Sequence, residues 1–502
     1  MDLDSLIQSS PAKHSWEKIG LKKRHGINTP LFSLKTETSS GIGEFLDLTL
    51  LIDWCAEIGF SIIQLLPLND TGLDHSPYNA LSAFALNPIY LSLHALPFVS
   101  KHDLAPFKKM NLLPQLNYHE VLKFKMEFLK NYFDKHFKSL KEDLSYQAFI
   151  DTNQWLRPYA QFKVLKNRYQ NRSWQEWPKN YDPPSEESLH FYFFLQYFAC
   201  KQLTWVKSYA NRKGILLKGD IPILISPDSA DVWQDPSSFD LENTAGAPPD
   251  MFNPEGQSWG FPTYRWHDFK FWKARLQVAS DFYDIFRLDH IIGFYRIWRI
   301  KTGALAKQGS FYPPDQETAL NQGEFILRNL LSFTGMFPMG EDLGLFIDYI
   351  KNSLSNLAIP GTKIVRWERH YDSDKSFISF QDYPPISLTT LSTHDTETLS
   401  QWWINFPEDA KQFSNNLNLT YQKTLSPELR LEILKASHQS TSLFHINLLG
   451  EYLELIPSYS SETMRINYPG TTLSSNWTLR YAPTLEQITT NLTLHNMLKS
   501  CL

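Results

Sequence analysis

The sequence predicts an α/β fold, a (β/α)8 TIM barrel with inserted, largely helical subdomains. Apolar runs of strand length alternate along the chain with segments of helical periodicity, a pattern typical of parallel strands joined by helices. Four of these runs end on an acidic residue, as strands do at the functional end of a barrel. With 502 residues, 42% of them hydrophobic, the chain is long enough for one elaborated barrel domain over residues 1–502.

Eight segments have the composition of buried strands. They are residues 25–34, 61–68, 214–223, 283–289, 335–341, 363–367, 388–395 and a last one within 442–455. Between the first two, residues 44–59 carry apolar side chains at helical spacing and end on glycine. The polar loop after the second strand, residues 69–79, contains Ser76 and Tyr78, and it predicts either a binding loop or a plain turn rich in Asp, Gly and Pro.

Two long segments depart from this alternation. Residues 100–210 are helical and aromatic in pattern, which predicts a helical insertion packed on the barrel. Residues 240–262 hold glycine, proline and acids around Trp259 without periodicity, which predicts a mobile lid loop over the active site. The alternatives are an ordinary surface loop and a calcium site around Asp250, for which the EF-hand spacing is absent.

Acidic residues recur at the ends of the predicted strands. They are Asp220, Asp289, Glu341 and Asp395. The carboxyl ends of barrel strands meet on one face, so these residues are expected to form one cluster. Because side chains alternate along a strand, Arg287 should lie beside Asp289 and hold it as a carboxylate. The alternative is a structural Arg–Asp pair that closes a loop.

Two carboxyls with different proton affinities suit the cleavage of an acetal between sugars. One must be protonated to assist the leaving oxygen, and the other must be ionised to attack the sugar. Asp289 is expected to be ionised beside Arg287, whereas Glu341 follows an apolar strand and precedes Asp342, so its pKa should be raised. The rival chemistry is a magnesium or two-metal hydrolase, but the sequence has no His or Cys cluster of ligand spacing.

Composition narrows the class of partner and the compartment. With 48 Lys+Arg, 53 Asp+Glu and a net charge of -5, the chain is not expected to bind nucleic acid or an anionic membrane. The three widely spaced cysteines lack a disulfide or metal pattern and are expected to be reduced thiols. The start of the chain lacks a signal-peptide pattern, so a cytoplasmic protein is expected. Nothing indicates an oligomeric state.

Several motifs together resemble one family. FRLDH, MGEDLG and STHD are similar to the strands that carry the three acids of amylomaltases, the 4-alpha-glucanotransferases or disproportionating enzymes of glycoside hydrolase family 77 in the α-amylase clan. GDIPI with DSADVW, PPDMFNPEGQSWGFPTYRW, SPYNALSAFALNP and RINYPGTTLSSNW resemble further segments of that family. They run in the family's order from about residue 26 to 480, which makes the resemblance specific.

The resemblance implies catalytic roles for three acids. Asp289 would be the nucleophile that forms a covalent glucosyl-enzyme intermediate, and Glu341 would be the general acid and then the base. Asp395 and His394 would bind hydroxyls of the sugar at the cleavage point. Arg287 would orient the nucleophile.

The same resemblance implies a set of substrate-binding residues. Asp220 would support the subsite of the cleaved sugar, and Tyr78 and Trp259 would stack on sugars on either side of it. Ser76, in the loop of Tyr78, and Asp250, in the lid, would also bind substrate. The family further implies no organic cofactor. No metal site is expected, because the sequence lacks a cluster of ligand spacing.

The expected function is transfer of a segment of an α-1,4-glucan to the 4-hydroxyl of an acceptor, with retention of configuration. Expected partners are maltooligosaccharides and glycogen or starch-type glucans. Retention predicts about 5 to 5.5 Å between the two catalytic carboxyls. One alternative is an α-glucan hydrolase of amylase type, in which water is the acceptor; another is a glucan-binding protein without catalysis.

Overall fold

Twelve β-strands lie in residues 2–249, 254–343, 348–460 and 464–502, the ranges that the computed structural model describes. In chain order they are β1 (Arg24–Thr29), β2 (Ile62–Leu65), β3 (Leu216–Ile221), β4 (Phe239–Ala247), β5 (Gln257–Tyr264), β6 (Ile285–Leu288), β7 (Ile297–Lys301), β8 (Ser310–Tyr312), β9 (Phe337–Gly340), β10 (Gly361–Ile364), β11 (Ser387–Thr390) and β12 (Phe444–Leu448). They form one parallel sheet and one antiparallel sheet.

Eight strands make the parallel sheet, in the order β10-β11-β12-β1-β2-β3-β6-β9. The two edge strands meet, because the Gly340 N–H donates to the Pro360 carbonyl at 2.8 Å and the Thr362 hydroxyl donates to the Gly340 carbonyl at 2.9 Å. The sheet therefore closes into a barrel, and the predicted (β/α)8 fold is confirmed.

The barrel strands coincide with the eight strand segments expected from the sequence. All four residues of β2, β6, β9 and β11 are buried, as in parallel strands covered by helices on the outside and by side chains within. The observed strands are shorter than the apolar runs. Asp289, Glu341 and Asp395 lie in loops beyond the strands, whereas Asp220 lies within β3.

Helices connect and cover the strands. In chain order they are α1 (Leu3–Ser9), α2 (Lys13–Ile19), α3 (Leu48–Ile58), α4 (Lys108–Asn111), α5 (Tyr118–Lys141), α6 (Leu144–Thr152), α7 (Leu156–Arg168), α8 (Glu186–Arg212), α9 (Ala230–Gln234), α10 (Lys270–Ala279), α11 (Ile292–Tyr295), α12 (Gln316–Phe333), α13 (Asp348–Asn356), α14 (Leu399–Asn405), α15 (Pro407–Asn416), α16 (Pro427–His438), α17 (Leu449–Leu453), α18 (Leu485–Thr489) and α19 (Leu492–Lys499). Helix α3 ends where Gly59 adopts a φ of 106°, a left-handed conformation that glycine tolerates.

Helices α4 to α8 fall in and around the segment 100–210. Two ion pairs attach them to the loops that follow β1 and β2. Lys125 on α5 reaches Glu44 at 2.6 Å, and both side chains are fully buried. Lys163 on α7 reaches Asp70 at 2.7 Å. These helices are therefore tied to the top of the barrel near the loop that carries Tyr78.

The described residues of the segment 240–262 include strands, where the sequence predicted a loop without periodicity. Strands β4 and β5 pair antiparallel within them, and β7 and β8 extend the sheet in the order β5-β4-β7-β8. The pairing of β4 with β5 shifts register between Asp240 and Thr244 and again before Gly246. Such bulges interrupt the two-residue alternation, which is why no strand pattern is visible in the sequence. The lid role of the segment stays a prediction, and Asp250 lies outside the described residues.

Two further features bear on the expected environment of the protein. Among the described helices, none combines the length and the apolar character that crossing a bilayer requires. Cys55, Cys200 and Cys501 are buried free thiols.

Candidate active site

The four acids expected at strand ends all lie at the carboxyl ends of barrel strands. Asp220 is in β3, and Asp289, Glu341 and Asp395 follow β6, β9 and β11. Backbone hydrogen bonds extend the ladder just past the strands: the Glu341 N–H donates to the Leu288 carbonyl at 3.0 Å, and the Asp289 N–H donates to the Ile221 carbonyl at 3.3 Å. The backbone of both residues is thus fixed by the barrel itself.

Arg287 connects three of these carboxyls. Its Nη1 donates to both oxygens of Asp220, at 2.7 and 2.8 Å, and to Oδ1 of Asp289 at 3.1 Å. Its Nη2 lies 3.1 Å from Oε1 of Glu341. Arg287 and Asp220 occupy paired positions on neighbouring strands and are both buried. The sequence indicated only the contact with Asp289, because the other two depend on the pairing of β6 with β3 and β9.

Glu341 is held at both of its oxygens. Besides the guanidinium at Oε1, the backbone N–H of His290 donates to Oε2 at 2.8 Å. His290 has a φ of 44°, in the left-handed region that costs a residue with a side chain about 1–3 kcal/mol. The backbone N–H at this left-handed residue holds the carboxylate of Glu341.

The pKa order of the two carboxyls is the reverse of the expected one. Burial raises the pKa of Asp289 to about 8, and the negative charges of Glu341 and Asp220 add to the effect of burial against the opposing effect of Arg287. Burial alone would also raise the pKa of Glu341, but Arg287 and the His290 N–H lower it below its ordinary value. The expectation for Glu341 was wrong because Asp289 shares its guanidinium nitrogen with Asp220, whereas Glu341 has Nη2 and a backbone donor.

Asp395 is kept ionised by two neighbours. His394 Nε2 lies 3.3 Å from Oδ2, and the Asn467 amide donates to Oδ1 at 2.7 Å. These contacts outweigh burial and lower the pKa of Asp395 to about 2. Burial would lower the pKa of His394, but the carboxylate of Asp395 raises it instead. The two side chains therefore form a charged pair at one side of the acid cluster.

Tyr78 links this pair to Asp220. Its hydroxyl donates to Oδ2 of Asp220 at 2.7 Å and lies 2.9 Å from Nε2 of His394. Its ring stacks on the His394 imidazole with centroids 5.2 Å apart and planes 17° apart. The ring of Trp477 lies 5.7 Å from that of Tyr78. The aromatic side chain expected to stack on a sugar is thus fixed in a polar and aromatic network.

A cleft of about 480 Å³ lies over the acids. Of the residues expected to bind or cleave substrate, it is lined by Ser76, Tyr78, Trp259, Asp289, Glu341 and Asp395. Arg287, Asp220 and His394 support these residues from below, through the contacts given above. The cleft is of the size in which proteins bind small ligands.

Trp259 forms part of the wall opposite the loop of Tyr78. It lies on β5, meets the His290 ring edge to face with centroids 5.1 Å apart, and donates from Nε1 to the Gln257 side chain at 3.3 Å. The antiparallel sheet therefore brings an aromatic side chain next to His290, the residue that follows Asp289.

Several residues of the cleft were not singled out from the sequence. Asn467, Trp477 and the turn 469–471 line it, and all of them belong to the stretch RINYPGTTLSSNW. This stretch has no strand or helix pattern, and Asn467 is 72 positions from the aspartate that it contacts. The resemblance of the stretch to the family was the signal that could have identified it.

No metal site accompanies the acids within the described ranges, where no group of three or more His, Cys, Asp or Glu side chains has a metal-binding arrangement. The carboxylates are instead balanced by a guanidinium, an imidazole and an amide. A barrel with two neighbouring carboxyls and aromatic walls at its strand ends has the layout of enzymes that act on glycosidic bonds.

Comparison with known proteins agrees with this layout. A family model described as 4-alpha-glucanotransferase, glycoside hydrolase family 77, matches residues 29–486. The chain belongs to this family. The 4-alpha-glucanotransferase of Chlamydia pneumoniae is 43% identical over 97% of each chain, and that of Chlamydia caviae is 42% identical over 97% of this chain and 96% of the relative. The amylomaltase from Streptococcus agalactiae, solved in complex with acarbose, superposes with a TM-score of 0.81 at 25% identity over 96% of this chain and 98% of that one.

Proposed function

We propose that this chain is a 4-alpha-glucanotransferase, which moves a segment of an α-1,4-glucan to the 4-hydroxyl of an acceptor glucan or glucose. The observation that carries the proposal is the pair of carboxyls, Asp289 and Glu341, held by Nη1 and Nη2 of the buried Arg287 guanidinium beneath a cleft. Family membership and the likeness to the chlamydial 4-alpha-glucanotransferases support it. Its substrates are maltooligosaccharides and glycogen or starch-type glucans.

The reaction proceeds by double displacement. Glu341 donates a proton to the glycosidic oxygen while the Asp289 carboxylate attacks the anomeric carbon, and the shortened glucan leaves with its new hydroxyl. The donor segment is then bonded to Asp289. The acceptor 4-hydroxyl attacks the same carbon, Glu341 takes its proton, and Asp289 leaves as a carboxylate. Two inversions at one carbon retain its configuration.

Substrate binding acts on the proton of the carboxyl pair. In the unliganded site the pKa order favours a protonated Asp289 and an ionised Glu341. A sugar hydroxyl that donates to Asp289 stabilises its ionised form, and a glycosidic oxygen can accept only from a protonated Glu341. Both contacts favour the proton on Glu341, which is the arrangement that the first displacement needs.

The remaining polar groups act on the sugar at the cleavage point. The Asp395 carboxylate, fixed by His394 and Asn467, accepts from hydroxyls of that sugar and opposes the positive charge of the oxocarbenium-like transition state. Arg287 and Asp220 orient Asp289 and Tyr78 from beneath the sugar. Each group meets the transition state in a position that is already fixed.

Aromatic side chains form the walls of the glucan path. Tyr78 and Trp477 stack on sugars on one side, Trp259 stacks on the other, and Ser76 adds a hydroxyl. These apolar surfaces also displace water, which favours a glucan hydroxyl over water as the acceptor. Phe261 adds to this apolar lining.

The lid and the insertion belong to the same proposal. Segment 240–262 carries Trp259 to the cleft and acts as the lid, with Asp250 as a further substrate-binding residue. The helices of 100–210 form an insertion that buttresses the loop of Tyr78. If the lid closes on glucan, protease cleavage within 240–262 should slow when maltoheptaose is added; unchanged cleavage would exclude closure. The buried free cysteines suit a cytoplasmic enzyme.

Incubation of the purified protein with maltotriose alone tests the activity. Transfer predicts free glucose together with a ladder of oligomers longer than maltotriose. Glucose and maltose with nothing longer would mean that water is the acceptor and would replace the proposal with hydrolysis. Asp289→Asn should abolish the ladder, whereas Asp134→Asn, a change at an exposed acid on α5, should leave it intact.

A further inference from the structure

A second cavity, of about 530 Å³, lies between the antiparallel sheet and the barrel. Each strand of that sheet contributes to its lining, with Asp240 from β4, Tyr264 from β5, Arg299 from β7 and Tyr312 from β8. Gly293 of α11 and Gln322 of α12 line it from the barrel side. None of these residues takes part in the reaction described above.

The second cavity adjoins the catalytic cleft. Ile223 and Leu224, just after β3, line both spaces. The strand β5 runs from one to the other, since Trp259 lines the cleft and Tyr264 lines the second cavity. Five residues of extended strand separate these two side chains, about 17 Å. A glucan of several units is long enough to span this distance.

The lining has groups that recognise a sugar. Aromatic rings are presented by Tyr264, Trp266 and Tyr312. Asp240 accepts from the guanidinium of Arg299 and from the amide of Asn243, the latter at 3.0 Å. The same guanidinium lies over the Tyr312 ring, 4.3 Å from its centroid. Fixed polar groups beside aromatic faces match the hydroxyl edges and the apolar faces of a glucose ring.

The charge of the cavity favours a neutral ligand. Its charged lining residues are two acids, Asp240 and Glu242, and two bases, Arg265 and Arg299. An anion such as a sugar phosphate binds best where donors and positive charge are in excess. The balanced lining offers no such excess, but it offers both acceptors and donors to hydroxyl groups.

We propose that this cavity is an accessory glucan-binding site, which holds a distal part of a long α-1,4-glucan while another part of the same chain reacts in the cleft. The assignment rests on the proposed function, which places the reacting part of the glucan in the cleft. A short oligosaccharide occupies the cleft alone. A long glucan spans both sites and gains affinity from the second.

Two substitutions at exposed lining positions test the proposal. Tyr312→Ala removes a half-exposed ring, and Glu242→Gln removes an exposed carboxylate with little change in shape. Each should raise KM for amylose about three- to tenfold without changing kcat, the loss expected for one aromatic or polar contact. Both kinetic constants for maltotriose should stay as in the parent enzyme. Trp205→Ala, which removes an exposed ring on α8, is the control and should leave KM and kcat unchanged for both substrates.

Binding without turnover separates this proposal from the catalytic one. In an Asp289→Asn background, maltoheptaose should bind more tightly than maltotriose, and adding Tyr312→Ala or Glu242→Gln should remove that advantage. An equal loss of affinity for maltotriose and maltoheptaose, or no loss for either, would contradict the proposed accessory site. If the parent enzyme fails to disproportionate maltotriose, the proposed function fails, while these binding measurements still decide whether the cavity holds glucan.

Discussion

Arg287 reaches Asp289 with Nη1 and Glu341 with Nη2, each at 3.1 Å. One planar guanidinium therefore sets the relative position of the two carboxyls that the reaction needs. It is itself fixed by Asp220, which accepts from Nη1 through both oxygens.

This arrangement predicts that Arg287→Lys is catalytically defective although it keeps the charge. A lysine has one nitrogen and cannot occupy both positions of the fork. We expect kcat for maltotriose disproportionation to fall about 100-fold or more, as for a catalytic group displaced by about 1 Å. Arg369→Lys, at a partly buried arginine paired with Asp409 away from the cleft, should keep kcat. Full activity of Arg287→Lys would show that the fork does not position the acids.

The pKa values predict a bell-shaped dependence of kcat/KM on pH. The pair of Asp289 and Glu341 must hold one proton, which it takes up as pH falls through about 8. A second proton enters only below the ordinary range of a glutamate, because the pKa of Glu341 is lowered. Activity should therefore be lost on the alkaline side with an apparent pKa near 8 and on the acid side below about pH 4.5. A profile that stays flat to pH 10 would contradict this assignment.

The buried ion pair of Lys125 and Glu44 predicts a large stability effect. Lys125 donates to Glu44 at 2.6 Å and to the Leu91 carbonyl at 2.7 Å, with no exposure to water. Lys125→Met leaves a carboxylate buried without its partner, which should cost about 3–5 kcal/mol of unfolding free energy in urea. Adding Glu44→Gln should restore part of the loss. Lys130→Met, at an exposed position on the same helix, should change stability little.

That prediction depends on coupling between the two buried charges. If the double variant loses the sum of the free energies lost by Lys125→Met and Glu44→Gln alone, the pair is not coupled and the loss reflects packing alone.

A cluster of three histidines at the other end of the barrel, two of them buried and one half-buried, predicts loss of stability in acid. His25 Nδ1 lies 2.9 Å from His438 Nδ1, and its ring stacks on His445 with centroids 4.9 Å apart. Burial lowers the pKa of His25 to about 4 and of His445 to about 3, and lowers the pKa of His438 well below its ordinary value. The cluster is therefore neutral in the folded protein near pH 6.

The direction in which stability changes with pH follows from proton uptake by the unfolded chain. Below about pH 6.5 the unfolded histidines bind protons that the folded ones do not, so stability is full above that pH and falls towards pH 4. Each histidine contributes about 1.4 kcal/mol per pH unit. His445→Asn should flatten the dependence of Tm on pH in this window, whereas the exposed His14→Gln should not. An unchanged slope in His445→Asn would exclude the cluster as its source.

The barrel and its acids could be predicted because each depends on local pattern. Buried parallel strands appear in the sequence as apolar runs. At the ends of four of these runs lie Asp220, Asp289, Glu341 and Asp395. Strand geometry then brings the acids to one face without further information.

Other parts of the site depend on contacts between distant segments. The antiparallel sheet that carries Trp259 was missed because bulges break its alternation. Asn467 reaches the site from a loop without regular structure. The expected pKa order of Asp289 and Glu341 was wrong because Arg287 and the His290 N–H both contact Glu341, and these contacts form only when distant strands pair.

Trapping the covalent intermediate tests the central claim most directly. Glu341→Gln should be treated with a maltotriosyl donor that carries fluoride, a leaving group that needs no acid, and then examined by mass spectrometry of the intact protein and its peptides. The first displacement should proceed, and the second should stall without a base, so a maltotriosyl adduct should accumulate on the peptide that contains Asp289. The same treatment of Asp289→Asn should give no adduct. Consumption of the donor without an adduct, or an adduct on another carboxyl, would contradict double displacement through Asp289.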